Sequence, residues 1–238
     1  MFTFKQFTIC DEHCAMKVGT DGVLLGAWAD TKGAKHIIDA GSGSGLIALM
    51  LAQRTPEAHV TGVEIDAAAA DDARHNAACA PFGERVNIEC ADLLSYARSH
   101  PQTADCVVSN PPYHEETLLP PSSARAAARH TAGGGLTFTA LLEATTLLLK
   151  PDARRHCFSV VLPTAAASRF EATAAIYGLS LTRRTEVLTR PTKPCKRVLL
   201  EFSRGSHAEA TKTERLVLVD GQGGRSEGYQ ALCRDFYL

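Results

Sequence analysis

A glycine-rich turn between a short apolar run and a helix-like segment constrains the fold of this chain more than any other feature. The run His36–Ala40 has the composition of a strand, residues 41–45 read Gly-Ser-Gly-Ser-Gly, and Leu46–Arg54 has helical composition. Glycines let a backbone approach a nucleotide-like ligand closely at the start of a helix. The turn lacks the Gly-Lys-Ser/Thr ending of phosphate-binding loops in NTPases. The sequence therefore predicts a strand–turn–helix unit that binds a nucleotide-like ligand.

Acidic residues follow the next two predicted strands. His59–Val63 is strand-like and leads into Glu64, roughly 20 positions beyond the glycine turn, where a carboxylate is placed to bind ribose hydroxyls. Val86–Ala91 is a third strand-like run, and Asp92 follows it, placed to accept a hydrogen bond from the exocyclic amine of an adenine. A dinucleotide-binding fold would show a similar pattern, so the turn and the acidic residues leave the ligand class open.

An amide, two prolines and an aromatic ring follow the fourth predicted strand. Asp105–Val108 reads as a buried strand, and Asn110, Pro111, Pro112 and Tyr113 come directly after Ser109. An amide oxygen and a rigid backbone carbonyl can accept both hydrogens of a conjugated amino group, which turns its lone pair toward a methyl donor. A tyrosine can stack on a base. These four residues are therefore the predicted catalytic residues, and a Pro-Pro turn that only closes the strand is the alternative.

The order of these four elements resembles the class I S-adenosylmethionine-dependent methyltransferases, in the branch that methylates amino groups. Both ends of the chain narrow the resemblance to the bacterial tRNA1(Val) (adenine-N6)-methyltransferase family. It covers nearly the whole chain and is weakest over Leu118–Leu136. The segments that carry it at the ends are Phe4–Phe7, Cys14–Trp28, Lys196–Phe202 and Tyr229–Leu238.

The resemblance implies S-adenosylmethionine as the cofactor. It also implies a substrate, the adenosine immediately 3′ of the anticodon (position 37) in a valine tRNA. For three residues of the expected cofactor site, Lys17, Thr20 and Asp21, resemblance is the sole basis. The full expected cofactor site comprises Lys17, Thr20, Asp21, Asp39, Gly41, Gly43, Gly45, Glu64, Asp92 and Asn110.

Strands that alternate with helices predict an α/β fold with a mostly parallel sheet and helices on both faces. The resemblance adds an antiparallel terminal strand and a single domain with three parts. Residues 1–30 would form a cap over the cofactor cleft, residues 31–205 the methyltransferase core, and residues 206–238 an extension packed on the core. The later predicted elements are helices at Phe138–Leu149 and Ala165–Tyr177 and strands at His156–Leu162, Leu179–Leu188 and Arg197–Phe202.

A basic segment near the carboxyl end is the candidate RNA-binding surface. Seven basic and two acidic residues lie between Arg183 and Arg204, and two prolines make part of this segment a loop. Basic side chains in such a loop can bind the RNA backbone, and an ordinary solvated hairpin is the alternative. The predicted contacts are Arg190, Lys193, Lys196 and Arg197, and Arg125, Arg129 and His130 could extend the same surface.

Composition narrows the remaining possibilities. The net charge of −1 provides no global attraction for nucleic acid, so an RNA site must be a local patch. No apolar stretch is long enough to span a bilayer, and the first residues lack a signal-peptide pattern, so we expect a cytoplasmic protein. The eight cysteines form no Cys-x-x-Cys pair, so we expect reduced thiols and no metal site. We expect no metal ion at the segment Cys10–Cys14 either. We expect a monomer or a weak dimer.

Three other functions share part of this pattern. A protein glutamine-N5 methyltransferase also carries Asn-Pro-Pro-Tyr, but the Phe-Lys-Gln-Phe start and the basic loop argue against it. An rRNA guanine-N2 methyltransferase is the second alternative. The third is a noncatalytic RNA-binding module, against which the intact glycine turn, Glu64, Asp92 and Asn110 argue.

Overall fold

A central eight-stranded sheet with helices on both faces organises the chain. The computed structural model describes residues 1–112, 136–151, 157–205 and 210–237. Its strands are β1 (Phe2–Thr3), β2 (Thr8–Ile9), β3 (His36–Ala40), β4 (His59–Glu64), β5 (Val86–Cys90), β6 (Cys106–Ser109), β7 (Phe158–Pro163), β8 (Leu179–Leu188), β9 (Arg197–Arg204) and β10 (Lys212–Val217). Its α-helices are α1 (Thr20–Trp28), α2 (Leu46–Arg54), α3 (Ala67–Cys79), α4 (Leu93–Ser99), α5 (Phe138–Leu148), α6 (Thr164–Ile176) and α7 (Glu227–Cys233).

The order of the large sheet is β10-β8-β9-β7-β6-β3-β4-β5. Neighbouring strands pair in parallel except at β9, which is antiparallel to both β7 and β8. The predicted mostly parallel sheet with an antiparallel strand is therefore confirmed. The antiparallel strand β9 lies inside the sheet, between β7 and β8, and the unpredicted strand β10 pairs with β8 and forms the edge. The charged, exposed residues of β10 are typical of an edge strand, and they lack the hydrophobic pattern by which a strand is recognised in a sequence.

Alternate residues of β3 point to opposite faces of the sheet and fill two separate cores. Ile37 packs in the core that holds α1, α2 and both chain ends, whereas Ile38 packs in the core beneath α4, α5 and α6. Both side chains are completely buried. This two-sided burial explains why β3 reads as a continuous apolar run, as expected for a parallel strand covered on both faces.

The two chain ends pack against each other. Lys5 N donates to Phe236 O (2.8 Å), and the rings of Phe4 and Tyr237 stack with their centroids 6.1 Å apart. Helix α7 lies against α1 and β10. The two terminal segments that carry the family resemblance thus form one aromatic cluster. The division into a cap, a core and an extension stays a prediction, and β10 places part of the extension in the core sheet.

All eight cysteines are free thiols. Burial raises the pKa of Cys14, Cys106, Cys157 and Cys233 to about 12, so these thiols are protonated at neutral pH. Among the described residues, no three His, Cys, Asp or Glu side chains are grouped to hold a metal ion. Within the same ranges, no helix is both long and apolar enough to cross a membrane.

Candidate active site

The sheet topology gathers the predicted site at one edge. Strands β3, β4, β5 and β6 are parallel, so their carboxyl ends lie at the same edge, and the helices α2 and α5, which come after β3 and β6 in the chain, pack on opposite faces of the sheet. Such a switch point is where open α/β sheets bind ligands. Strand β9 runs the other way, so its first residue, Arg197, lies at this edge too. The topology therefore brings the glycine turn, the acidic residues, Asn110 and the base of the basic loop to one side.

Three glycines of the turn have left-handed backbone conformations that other residues rarely adopt. Their φ angles are +73° at Gly41, +51° at Gly43 and +77° at Gly45. A Cβ atom added to Gly41 or Gly43 would meet no atom within 4 Å, whereas one at Gly45 would lie 3.2 Å from Ala73 Cβ. The first two glycines therefore border open space suited to a ligand, and the third permits close packing against α3.

Glu64 lies half-buried at the end of β4 and holds the turn in place. Its Oε2 accepts a hydrogen bond from Gly43 N (2.8 Å), and its Oε1 accepts one from Asp66 N (3.0 Å). Each carboxylate oxygen can accept a second bond. Glu64 can therefore bind ribose hydroxyls while it fixes the glycine turn.

Asp39 carries a buried oxygen without a partner beneath the same turn. Its side chain is fully buried, and its Oδ2 accepts from Ala48 N (2.9 Å) in the first turn of α2. Its Oδ1 and the hydroxyl of Ser42 have no hydrogen-bond partner within the described ranges. Unpaired buried polar atoms are costly, so a ligand that supplies donors or positive charge here would be favoured. These residues fit a cofactor with a cationic amino acid end.

Burial, reinforced by the charge of Glu64, raises the pKa of Asp39 from 3.8 to about 7. Folding then takes up a proton between these pH values, so the contribution of Asp39 to stability is present at low pH and lost as the pH rises toward 7. Asp39→Asn keeps the acceptor for Ala48 N but does not titrate. Without cofactor, we expect the free energy of unfolding of the wild type to fall relative to this variant by up to about 1.4 kcal/mol per pH unit. Urea denaturation across about pH 4 to 7 measures this difference, and a constant difference would contradict it.

Asp92 caps α4, and one of its two carboxylate oxygens is engaged. Its Oδ1 accepts from Ser95 N (2.9 Å) and from Ser95 Oγ (2.8 Å). No hydrogen bond from the described residues reaches its Oδ2. The cap fixes the carboxylate at the end of β5, where the free oxygen can accept a bond from an adenine amine.

Asn110 follows β6 directly and lies beneath the first turn of α1. A Cβ atom on Gly22 would lie 3.9 Å from Asn110 Nδ2, in ordinary van der Waals contact, so the first turn of α1 packs directly beside the amide. Before it, Ser109 Oγ donates to Ala40 O (2.7 Å) and ties the end of β6 to the end of β3. Pro111 is buried and Pro112 is half-buried. Tyr113 lies outside the described residues, as do Arg125, Arg129 and His130.

The residues expected from resemblance alone lie on the amino-terminal segment. Lys17 Nζ donates to Asp11 O (2.5 Å) and Glu12 O (3.0 Å), so the lysine stabilises its own loop. Thr20 begins α1 and is exposed. The next residue, Asp21, accepts a hydrogen bond at Oδ2 from Arg197 Nε (2.7 Å). The structure thus brings Asp21 together with a residue that was predicted to bind RNA.

Asn76 on α3 is a residue of the site that the sequence analysis missed. It is 1% exposed, and its amide binds the N–H (2.8 Å) and the carbonyl (2.7 Å) of Cys10 as well as the carbonyl of Ser44 (2.9 Å). It therefore fastens the amino-terminal segment to the glycine turn. The available signal was a polar residue among the buried alanines of α3, which include Ala69 and Ala73.

The basic segment contributes fewer available charges than its sequence suggests. Arg183 pairs with the buried Glu201 (2.8 Å), and Arg204 donates to Leu149 O (2.5 Å). The other two engaged cations are Arg184, paired with Glu171, and Arg197, paired with Asp21.

Three cations of the segment are exposed on the loop between β8 and β9, namely Arg190, Lys193 and Lys196. No carboxylate of the described ranges forms an ion pair with them. Because β8 ends and β9 begins at the edge of the candidate site, these three side chains form a basic patch beside it.

Comparison with known proteins identifies the family. The sequence model of the methyltransferase small domain matches residues 14–137. A tRNA1(Val) (adenine(37)-N6)-methyltransferase from Enterobacter sp. (strain 638) is 46% identical over 100% of this chain and 94% of its own length. A protein of the same name from Bacteroides thetaiotaomicron is 43% identical over 100% of this chain and 97% of its own.

Among solved structures, a predicted O-methyltransferase, protein Atu636 from Agrobacterium tumefaciens, superposes with a TM-score of 0.69. It is 20% identical and covers 90% of this chain and 96% of its own, which supports the methyltransferase fold. The family predicted from the sequence is confirmed, and this chain belongs to the tRNA1(Val) (adenine(37)-N6)-methyltransferase family.

Proposed function

We propose that the protein transfers a methyl group from S-adenosylmethionine to the N6 amino group of adenosine 37 in valine tRNA. The observation that carries the proposal is the placement of Asn110 and Pro111 at the end of β6, beside the open side of the glycine turn. The names of the full-length relatives support the same substrate. We further propose that the enzyme acts in the cytoplasm as a monomer or weak dimer and binds the anticodon stem-loop.

The polar groups of the cleft fit this cofactor. Glu64 would bind the ribose hydroxyls, and Asp92 would accept a bond from the adenine amine. The unpaired Oδ1 of Asp39 and the hydroxyl of Ser42 suit the cationic end, beside Gly41, Gly43 and Gly45. Lys17, Thr20 and Asp21 would line the methionine portion. When bound, the cofactor supplies a methyl group on a positively charged sulfur.

The chain's own residues then activate the amino group by position. The adenine must leave its stack to reach the pocket, as for other base-modifying enzymes. Tyr113 would stack on the base, while Asn110 Oδ1 and the Pro111 carbonyl, held rigid by Pro112, accept the two N6 hydrogens. This arrangement directs the nitrogen lone pair at the methyl group and stabilises the positive charge that develops on nitrogen. Positioning and charge stabilisation provide most of the rate enhancement.

The basic patch is the proposed contact for the RNA backbone. Arg190, Lys193 and Lys196 are exposed at the edge of the site and can neutralise phosphates without breaking an ion pair recorded for the described residues. Arg197, the fourth residue of the set predicted from the sequence, lies at the base of the loop and donates from Nε to Asp21, so it is not part of the basic patch.

Methyl transfer to the RNA and to the protein of cells that lack this enzyme tests the proposed function. The RNA fraction, which holds both tRNA and rRNA, and the protein fraction are each incubated with the enzyme and labelled cofactor, and the RNA is then digested and separated into nucleosides. We expect labelled N6-methyladenosine, located at position 37 of valine tRNA. Labelled N2-methylguanosine from rRNA would instead favour the guanine enzyme, and label in protein alone would favour the glutamine enzyme. Label in neither fraction would point to a noncatalytic module.

Glu64→Ala should weaken cofactor binding at least tenfold, because the ribose hydroxyls lose a charged acceptor. Each such hydrogen bond contributes about 1.5–3 kcal/mol before water compensates. Isothermal titration calorimetry on the folded variant measures the affinity. Glu64→Gln retains an oxygen for Gly43 N and so separates loss of the ribose contact from loss of the turn, while Glu57→Ala at the opposite edge is the control. Unchanged affinity in a folded Glu64→Ala protein would remove Glu64 from the site.

A further inference from the structure

The ion pair between Asp21 and Arg197 joins two regions that the sequence analysis assigned to different ligands. Arg197 Nε lies 2.7 Å from Asp21 Oδ2 across 176 positions of sequence, and the two side chains are 36% and 27% exposed. Asp21 lies in the first turn of α1, whereas Arg197 opens β9 directly after the basic loop. The contact is therefore a direct link between the first turn of α1 and the base of the basic loop.

Arg197 is a rigid anchor for this link. Its backbone pairs with Pro163 of β7 on one side and Val187 of β8 on the other, so it lies inside the sheet. The residues just before it are also fixed, because Thr164 N donates to Lys196 O (3.1 Å) and Thr164 Oγ1 donates to Cys195 O (3.1 Å). Arg197 Nη1 additionally donates to Lys196 O (3.1 Å). A side chain on such a support can hold its partner at a defined position.

The partner of this anchor lies next to the catalytic amide. Gly22 follows Asp21, and a Cβ atom on Gly22 would lie 3.1 Å from Leu46 Cδ2 and 3.9 Å from Asn110 Nδ2. The first turn of α1 thus packs against both Asn110 and the first residue of α2 after the glycine turn. Arg197 therefore binds Asp21, and the helical turn that contains Asp21 packs beside Asn110.

We propose that Arg197 and Asp21 are positioning residues for methyl transfer, which hold the first turn of α1 against Asn110, and that Arg197 is not a phosphate contact. The inference rests on the proposed function for the identity of the substrate. The pair is partly exposed and contributes little to overall stability, so its loss leaves the protein folded. A displacement of about 1 Å near reacting groups, by contrast, can lower a rate by about 10²-fold.

Asp21→Ala, Arg197→Met and the double variant test this proposal. We expect each single variant to lower the single-turnover rate at saturating tRNA and cofactor by about tenfold or more. The double variant should be no slower than the slower single variant, because both changes remove the same interaction. The salt dependence of tRNA binding should match that of the wild type in all three. Circular dichroism confirms that the variants are folded.

A phosphate contact by Arg197 predicts different results and would overturn the proposal. Arg197→Met would then reduce the salt slope of tRNA binding by about 0.7 to 0.9 at unchanged saturated rate. Asp21→Ala would tighten tRNA binding, since it removes a negative charge and releases the arginine. The proposal would also be overturned if the variants unfolded at a lower temperature but kept the wild-type single-turnover rate. A wild-type enzyme that fails to methylate tRNA would overturn the proposed function itself.

Discussion

Asn110→Ala is expected to lower the rate of methyl transfer by about 10²–10³-fold, the typical effect of losing one preorganised hydrogen-bonding group at a reacting centre. The residue lies at a strand end between β6 and the two prolines, outside the two apolar cores, so folding should persist. Single-turnover assays at saturating tRNA and cofactor measure the chemical step. A near wild-type rate of methyl transfer under these conditions would contradict the proposed role of Asn110.

Two controls separate the loss of chemistry from other defects. Calorimetry of Asn110→Ala should give a cofactor affinity close to that of the wild type, because Glu64, Asp92 and the glycine turn are unchanged. Tyr113→Ala should act mainly on base capture, with a loss of about 1–3 kcal/mol of stacking that appears in the apparent RNA affinity. If Asn110→Ala and Tyr113→Ala lowered the methyl-transfer rate and the apparent RNA affinity in the same proportion, the two residues would share one role.

Strands β3, β4 and β6 could be predicted because they are buried on both faces of the sheet, whereas the edge strand β5 is buried only at Ile88. All four strands end within one residue of the predicted end, and a candidate site residue lies at or just after each end. The switch point follows from strand alternation once the sheet is parallel. The fold, the edge of the sheet that holds the candidate cofactor site and the order of the candidate site residues could therefore be predicted from local sequence patterns.

Side-chain pairing across the fold could not be predicted in this way. Arg183, Arg184, Arg197 and Arg204 look like free cations in sequence, but each binds a group far away in the chain. Asn76 joins segments 66 and 32 positions away, so no local pattern reveals its role. Strand β10 could not be recognised from its own sequence, because it is defined by its pairing with the exposed edge of β8. Such features depend on tertiary contacts, whereas composition and periodicity report mainly burial.

Replacement of Arg190, Lys193 and Lys196 together by alanine is expected to weaken tRNA binding on the order of 10²-fold at about 0.15 M salt. Each phosphate contact contributes about 0.7 to 0.9 to the slope of log affinity against log salt, so the slope should fall by about 2 to 3. Both values follow from counterion release by three contacts. Fluorescence anisotropy with labelled tRNA over a range of salt concentrations measures them, and cofactor affinity should not change.

The matched control removes the same charge from the opposite edge of the sheet. Lys32, Lys35 and Lys212 are exposed and lie just before or at the amino ends of the parallel strands β3 and β10. Their replacement by alanine changes the net charge equally but leaves the patch beside the site intact. If RNA binding depended on overall charge, the two triple variants would lose equal affinity. A loss confined to the loop variant would locate the RNA backbone beside β8 and β9, because among the residues that the structure describes this loop presents unpaired cations next to the strand ends that carry Asn110 and the glycine turn.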